Sequence, residues 1–318
     1  MNGSAPAARG PGRRPRARGP VLDRPAVAFW VFAGPFTAGL ALFTVVPVLW
    51  SVYLSFFDAR NTVAPTTFVG LRNYTDMLTS PAFLDSLLTF TVFAACTVPL
   101  MFAGSLALAL LLHRARWAQP VLRSVYFLPA ACSYVAASLI WKLSIFNGVR
   151  FGLANTVLGW FGAEPVAWLS VTDPPWYWLA LVTVRLWLQV GFYMLIFLAG
   201  LQRVPRELYE AAWVDGAATG WSTFRHITLP QLHATSAAVL LLNLVAAYQA
   251  FDEFYNLLGT DGYYPPYARP PLVYLYFTAL GAGQDFGRGS AGAVILALLI
   301  ALATMAQGRF LGFGRSRA

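Results

Sequence analysis

Residues 87–112 read LLTFTVFAACTVPLMFAGSLALALLL, a run without one charged side chain. A helix needs about 20 mostly apolar residues to cross the hydrocarbon core of a bilayer, and this run is longer than that. Five further stretches qualify on the same grounds, at residues 27–54, 123–143, 176–201, 233–257 and 289–308. Lipid offers no partner to an unpaired backbone group, so a span must be a helix or part of a closed barrel. The alternating pattern of a barrel strand is absent. The sequence therefore predicts an all-α integral membrane protein with six transmembrane helices. Pro35, Pro47, Pro99 and Pro129 lie within or at the edges of these runs. They would break a soluble helix, but neighbouring helices in a bundle can satisfy the freed carbonyls. The apolar patch at residues 272–280 is too short to span and reads as a re-entrant or surface helix.

Composition agrees. Hydrophobic residues make up 58% of the 318-residue chain and charged residues 11%, against about 25% charged in soluble domains. So few charges could not cover a soluble surface, and so much apolar surface excludes disorder. The formal charge of +9 comes from 21 arginines and one lysine, placed mostly beside the apolar runs. That placement speaks for membrane orientation and not for nucleic-acid binding. With the N-terminus cytoplasmic, fifteen basic residues fall on inner segments and six on outer ones. The positive-inside bias thus puts both ends in the cytoplasm. Residues 1–25 form a basic tail with no apolar periodicity, expected to be disordered and to touch anionic lipid. The run that follows is too long for a signal-peptide core. Residues 26–312 form the transmembrane domain and 313–318 a second cytoplasmic tail. Cys96 and Cys132 sit inside apolar runs, so no disulfide framework is indicated. Trp30, Trp50, Trp160, Trp168, Trp176 and Trp178 read as interfacial anchors.

The inner loop at residues 205–230, between spans four and five, is unlike the rest of the chain. Pro205 suits a first helical turn, and Glu207 and Glu210 place negative charge near its positive end. Leu208, Ala211 and Ala212 share a side at three- and four-residue spacing. Gly216 can take the left-handed geometry that ends a helix. A second short helix is expected from Thr219 to His226, with Pro230 marking the start of span five. The pattern predicts a helix–turn–helix at the membrane surface, either a docking element with small residues or a solvated connector.

This loop resembles the EAA loop of ABC-importer permeases in Glu210-Ala211-Ala212, Asp215-Gly216-Ala217, Ile227, Leu229 and Pro230. Other segments are similar to the carbohydrate-uptake branch, of the maltose and glycerol-3-phosphate type. They are Phe68-Val-Gly-Leu-Arg-Asn-Tyr74, Arg123 with Phe127-Leu-Pro129, and Trp141 with Phe146, Gly152 and Asn155. Phe251-Asp252, Phe286-Gly287 and Ser290-Ala291 complete the resemblance, which covers residues 25–312. Two features depart from it. The stretch between Gly216 and Ile227 is one residue longer than the family pattern. A Thr-Gly-Gly-Pro stretch usual after span five is replaced by Gly259-Thr-Asp-Gly-Tyr-Tyr-Pro-Pro266.

The resemblance implies a cytoplasmic ATPase dimer that grips the loop, a homologous second permease, an extracytoplasmic solute-binding protein and a sugar substrate. It also implies location in a bacterial cell membrane. The chain carries no phosphate-binding Gly-x-x-x-x-Gly-Lys-Ser/Thr run, and its one lysine is Lys142. ATP and magnesium would therefore belong to the ATPase partner, and this chain is expected to need no cofactor or metal of its own. Intramembrane polar groups are candidates for the substrate path. Tyr248, Asp252 and Tyr255 are expected on one helical face of span five with Asn256 nearby, and Arg185 and Gln189 one turn apart in span four. The alternative is that Asp252 or Glu253 neutralises Arg185. A membrane enzyme is disfavoured, because His113, His226 and His233 lack metal-ligand spacing and no histidine accompanies Ser290. A secondary carrier is the remaining rival.

Overall fold

The computed structural model describes residues 25–115, 117–216, 220–259 and 264–310. The expected tails, Ala217 and the turn around it, and the centre of the outer loop lie outside the described residues. Two units are distinguished, dividing between Tyr53 and Leu54.

The first unit is one apolar helical rod, α1 (Pro25–Leu40), a π-helical turn (Ala41–Val45) and α2 (Val46–Leu54), with Pro35 inside α1. Pro47 has no N–H to give the preceding turn, and the widened turn lies just before it.

The second unit begins with a short antiparallel pair, β1 (Phe57–Asp58) and β2 (Thr67–Phe68), in which Phe57 faces Phe68. Gly70 then turns the chain at φ +59°, a conformation that favours glycine, and α3 (Arg72–Thr79) follows. Asn73 of α3 is buried, and its Nδ2 donates to Ser55 O and Phe57 O, both at 2.9 Å. A Cβ on Gly287 would meet the same Phe57 carbonyl and Asn73 amide. The FVGLRNY segment and the Phe286-Gly287 pair are thus two halves of one joint.

Helix α4 (Pro81–Arg114) starts on a proline at its first position and passes through Pro99 without breaking. Its buried face runs through Phe83, Ser86, Phe90, Phe93, Thr97, Met101 and Ser105, the three-to-four-residue spacing of one helical stripe. The threonine and the two serines bond carbonyls of the preceding turn, so these three hydroxyls are paired within their apolar surroundings.

The third expected span is not one helix. α5 (Gln119–Phe127) runs into a 3-10 turn (Leu128–Ala131), the chain extends at Cys132, and α6 (Tyr134–Ile140) begins afresh. The two arms, Gln119–Ala131 and Tyr134–Ile145, meet at 93°. Pro129 tightens the end of the first arm, and Ser133 caps the second by accepting from Val135 N at 3.2 Å.

Beyond a π-helical turn (Trp141–Ile145), α7 (Leu153–Trp160) carries Asn155. This buried amide donates to Val149 O and Val166 O at 3.0 and 3.1 Å and accepts from Val166 N and Trp168 Nε1 at 3.0 and 2.9 Å. Trp168 is therefore a core residue here and not an interfacial anchor. Trp178 likewise packs on Phe93 and Phe254, whereas Trp160 is exposed.

Helix α8 (Tyr177–Leu201) forms with α4 the largest helix pair of the unit. Gly191 lets α8 approach the Tyr126 carbonyl of α5, where a Cβ would collide. After α9 (Arg206–Val214), α10 (Trp221–Thr223), a π-helical turn (Phe224–Thr228) and α11 (Leu229–Gln231) form one arm, bent by 71° from α12 (His233–Tyr248). The second surface helix thus reaches Gln231 and contains Pro230. The turn into the next arm falls at the buried Leu232.

Span five is also interrupted. α12 stops at Tyr248, and α13 (Asp252–Leu258) starts after three residues. The shared helical face expected for Tyr248, Asp252 and Tyr255 does not exist. α14 (Pro271–Leu280) is the short apolar helix anticipated at residues 272–280, but it buries Pro271, Val273 and Leu275 and packs on α15 (Phe286–Phe310) and α4. Ahead of it, Tyr264 Oη donates to Ala268 O at 2.6 Å. Burial pushes that phenol well above its usual pKa, so the donor keeps its proton at physiological pH.

Among the described residues, four helices are long and apolar enough to cross a membrane, and counting each bent pair as one span makes six. Replacing Asn155 with Ala leaves several buried partners unsatisfied. It should lower stability by about 2–4 kcal/mol, seen as a reduced melting temperature of the detergent-purified protein; an unchanged value would show that the 147–168 loop does not depend on it.

Candidate functional site

A helix that ends inside a membrane bundle exposes carbonyls at one side of the break and N–H groups at the other. In the α12–α13 break, Gln249 N reaches Val245 O and Ala246 O at 3.2 and 3.3 Å, and Ala250 N reaches Ala247 O at 3.2 Å. Arg185, from the middle of α8, completes the closure. Its Nη2 donates to Ala246 O at 2.5 Å and its Nη1 to Glu253 Oε1 at 2.7 Å. The cation thus sits at the negative end of α12, and the anion lies in the first turn of α13. Side-chain exposures of 5% and 1% make this a fully buried pair. Of the two acids named as partners for Arg185, the structure pairs it with Glu253 and not with Asp252.

The surroundings are polar. The guanidinium lies 5.7 Å from the centre of the Tyr134 ring. Tyr134 Oη, Ser138 Oγ one turn further along α6, and Gln189 Oε1 are buried with no hydrogen-bond partner among the described residues. Tyr134 and Ser138 were not singled out from sequence, although their four-residue spacing in an apolar run was the available signal. Lys142 Nζ donates to Gly259 O at 2.6 Å, capping the far end of α13.

The other substrate-path candidates separate. Tyr248 turns toward α4, its ring 4.6 Å from that of Phe90. Asp252 is exposed and makes no ion pair among the described residues. Asn256 Nδ2 donates to Asp252 O at 2.7 Å, and Tyr255 stacks on Phe251.

The second site is the elbow of α9 to α11. Pro205 is extended and precedes the helix, with Glu207 in the first turn. Glu210, Ala211 and Asp215 are exposed and Ala212 half-buried. Trp213 and Val214 are 74% and 87% exposed, a large apolar tip that the sequence reading passed over. Gly216 has φ +78° and its N–H bonds Trp213 O at 3.1 Å, so the helix ends where the glycine predicts. Tyr209 Oη meets Thr228 Oγ1 at 3.1 Å, tying α9 to the following arm. Ile227 is half-buried, and Leu229 and Pro230 are exposed. Among the described residues, no group of three or more His, Cys, Asp or Glu could hold a metal ion.

A helical unit with four to six apolar spans among the described residues, one of them interrupted and clamped, is that of a multi-pass membrane component. Residues 77–311 match the family described as binding-protein-dependent transport system inner membrane component, and the chain belongs to that family. It is 32% identical over 275 residues to the alpha-glucoside transport system permease protein AglF of Rhizobium meliloti, covering 85% of this chain and 78% of that one. It is 32% identical over 281 residues to the osmoprotective compounds uptake permease protein GgtC of Synechocystis, covering 85% and 94%. In fold it is similar to a chain of the bacterial alginate ABC transporter solved in complex with an alginate pentasaccharide-bound periplasmic protein. The TM-score is 0.75 at 20% identity, over 91% of this chain and 94% of that one.

Removing one member of a buried ion pair strands the other, at a cost of about 3–5 kcal/mol. Arg185→Met and Glu253→Gln should each destabilise the purified protein by about that amount, and the double variant should recover most of the loss. Thermal unfolding of the three variants measures this; additive losses in the double variant would show that the two side chains act independently.

Proposed function

We propose that this chain is one of two permease subunits of an ATP-driven, binding-protein-dependent carbohydrate importer in a bacterial cell membrane, with six spans and both termini cytoplasmic. Family membership supports the transport class, and the positive-inside bias supports the orientation. The substrate class rests on relatives such as the alpha-glucoside permease. The observation that carries the coupling role is the exposed tip of α9, closed by a left-handed Gly216 and presenting Glu210, Ala211 and Trp213.

A dimeric ATPase, holding ATP and magnesium, receives Glu210 through a basic group. Ala211, Ala212 and Gly216 keep the contact close, with Asp215, Ile227, Leu229 and Pro230 shaping the elbow. Closure of the ATPase displaces α9. The Tyr209–Thr228 contact passes the displacement to the arm Trp221–Gln231, and the bend at Leu232 passes it to α12. Because the other end of α12 is held by Arg185, the motion is a rigid-body switch between inward- and outward-open states.

A solute-binding protein delivers sugar to the outer side, where a path formed with the second permease runs past Gln189, Tyr248, Asp252, Tyr255 and Asn256. Arg185 borders the path and fixes its walls. Its charge is already met by Glu253, which weighs against an anionic solute such as a glycerol phosphate. Uptake driven by ATP, abolished by vanadate and indifferent to a proton gradient, separates this reading from a secondary carrier.

Glu210→Lys and Gly216→Pro should each cut sugar uptake to below about a tenth of wild type while the protein reaches the membrane at normal levels. The first reverses the docking charge; the second puts proline where φ is positive. Normal uptake in both variants contradicts the coupling role.

A further inference from the structure

Where α4 and α15 begin, a cavity of about 340 Å³ opens between α3, α14 and the turn into α15. Its volume is within the range of small-ligand sites. Charged side chains line it. Arg288 Nη2 donates to Asp76 Oδ2 at 2.5 Å, and the Arg288 backbone N–H donates to Asp285 Oδ1 at 3.0 Å. Arg60 Nε lies 3.4 Å from Asp285 and 3.7 Å from Asp58. The two terminal nitrogens of Arg60 form no hydrogen bond among the described residues, and its side chain is 58% exposed. Ser80 Oγ and Tyr274 Oη, 3.4 Å apart, also line the cavity.

The backbone closes this joint without help from the Arg60 side chain. Asn61 N bonds Gln284 O at 2.9 Å, and Phe286 N bonds Ala59 O at 3.0 Å. The Arg60 fork is therefore left to meet a ligand, and its geometry suits two oxygens of a phosphate. A plain anion fits poorly, because the cluster holds three carboxylates (Asp58, Asp76 and Asp285) against two guanidiniums. The ligand must carry a positive charge as well. From Ser80, Leu84, Leu88 and Val92 continue along α4 at four-residue intervals, and they are 47%, 63% and 40% exposed. A polar cavity at the start of two apolar spans, with an apolar track leading away from it, has the form of a phospholipid.

We propose that the cavity binds the headgroup of a zwitterionic phospholipid of the phosphatidylethanolamine type. Arg60 and the remaining nitrogen of Arg288 take the phosphate. The free oxygen of Asp76, with the Ser80 and Tyr274 hydroxyls, accepts from the ammonium. An acyl chain lies along Leu84 and Leu88. The bound lipid fastens the joint between α3 and α15 to the membrane surface and holds the first turns of α4 and α15 at headgroup level.

Native mass spectrometry of the complete detergent-purified transporter tests it, after delipidation and titration with dioleoyl phosphatidylethanolamine or dioleoyl phosphatidylglycerol. The wild type should retain phosphatidylethanolamine at an about ten-fold lower lipid concentration, the worth of one charge-assisted contact. Arg60→Gln should abolish that preference, and Arg60→Lys should keep part of it. Gly283 also lines the cavity, and a Cβ there meets open space. Gly283→Phe therefore adds bulk while leaving every charge in place; it should lose the preference too, and it covers the case in which Arg60→Gln does not fold. Equal retention of the two lipids by the wild type, or an undiminished preference in either folded variant, overturns the site. Glycerophosphoethanolamine, which has the headgroup and no acyl chain, should not displace the lipid at equal concentration. Full displacement by it would make the ligand a soluble zwitterion and overturn the lipid assignment.

Discussion

One arginine makes an interrupted helix possible inside an apolar bundle. At the interruption Gln249 N and Ala250 N close back onto the last turn of α12, and any carbonyl or anion left unmet there would cost several kcal/mol in apolar surroundings. Arg185 answers both sides of that gap. One nitrogen meets the last turn of α12 and another meets the carboxylate that opens α13. A neutral donor could bond the carbonyl, but it would leave Glu253 charged and buried. A helix continuous through 249–251 would need neither residue. The pair thus bridges the two sides of the break, and the Tyr134 ring lies beside its guanidinium.

The break also gives the bundle something to move. A continuous span transmits force only along its axis, whereas α12 is bounded by a 71° bend at Leu232 and by the clamped gap after Tyr248. In the proposed coupling it serves as the lever between the exposed elbow and the clamped gap. Glycines set the remaining surfaces at close range, Gly191 against α5 and Gly287 against the β1 backbone. Rigid, closely packed surfaces of this kind favour discrete rearrangement over gradual deformation.

Much of this was legible from residue order. Runs of apolar residues located α4, α8 and α15 to within a few positions, because a helix crossing lipid has no other way to be written. Gly216 announced the end of α9, since few residues besides glycine accept a positive φ at a helix terminus. The two bends were not legible. Ser133 caps α6 from within an apolar run, where a serine is equally at home bonding the preceding turn, as Ser105 does. The stop at Tyr248 carries no proline or glycine. It is met by Arg185, which is distant in sequence, so periodicity carried the helix through to residue 257. The same omission placed Tyr248 and Tyr255 on a common face. Trp168 was misjudged for a related reason, because its partner Asn155 lies in another segment of the loop.

The most direct test is water access at the gap. In a chain with Cys96 and Cys132 replaced by serine, a cysteine at position 252 should react rapidly with a membrane-impermeant thiol reagent, although it lies within the apolar stretch 233–257. A cysteine at Val239, which is fully buried on α12, should not react. Equal protection of both positions would mean that span five runs unbroken through lipid and that the Arg185 clamp does not hold open a polar gap.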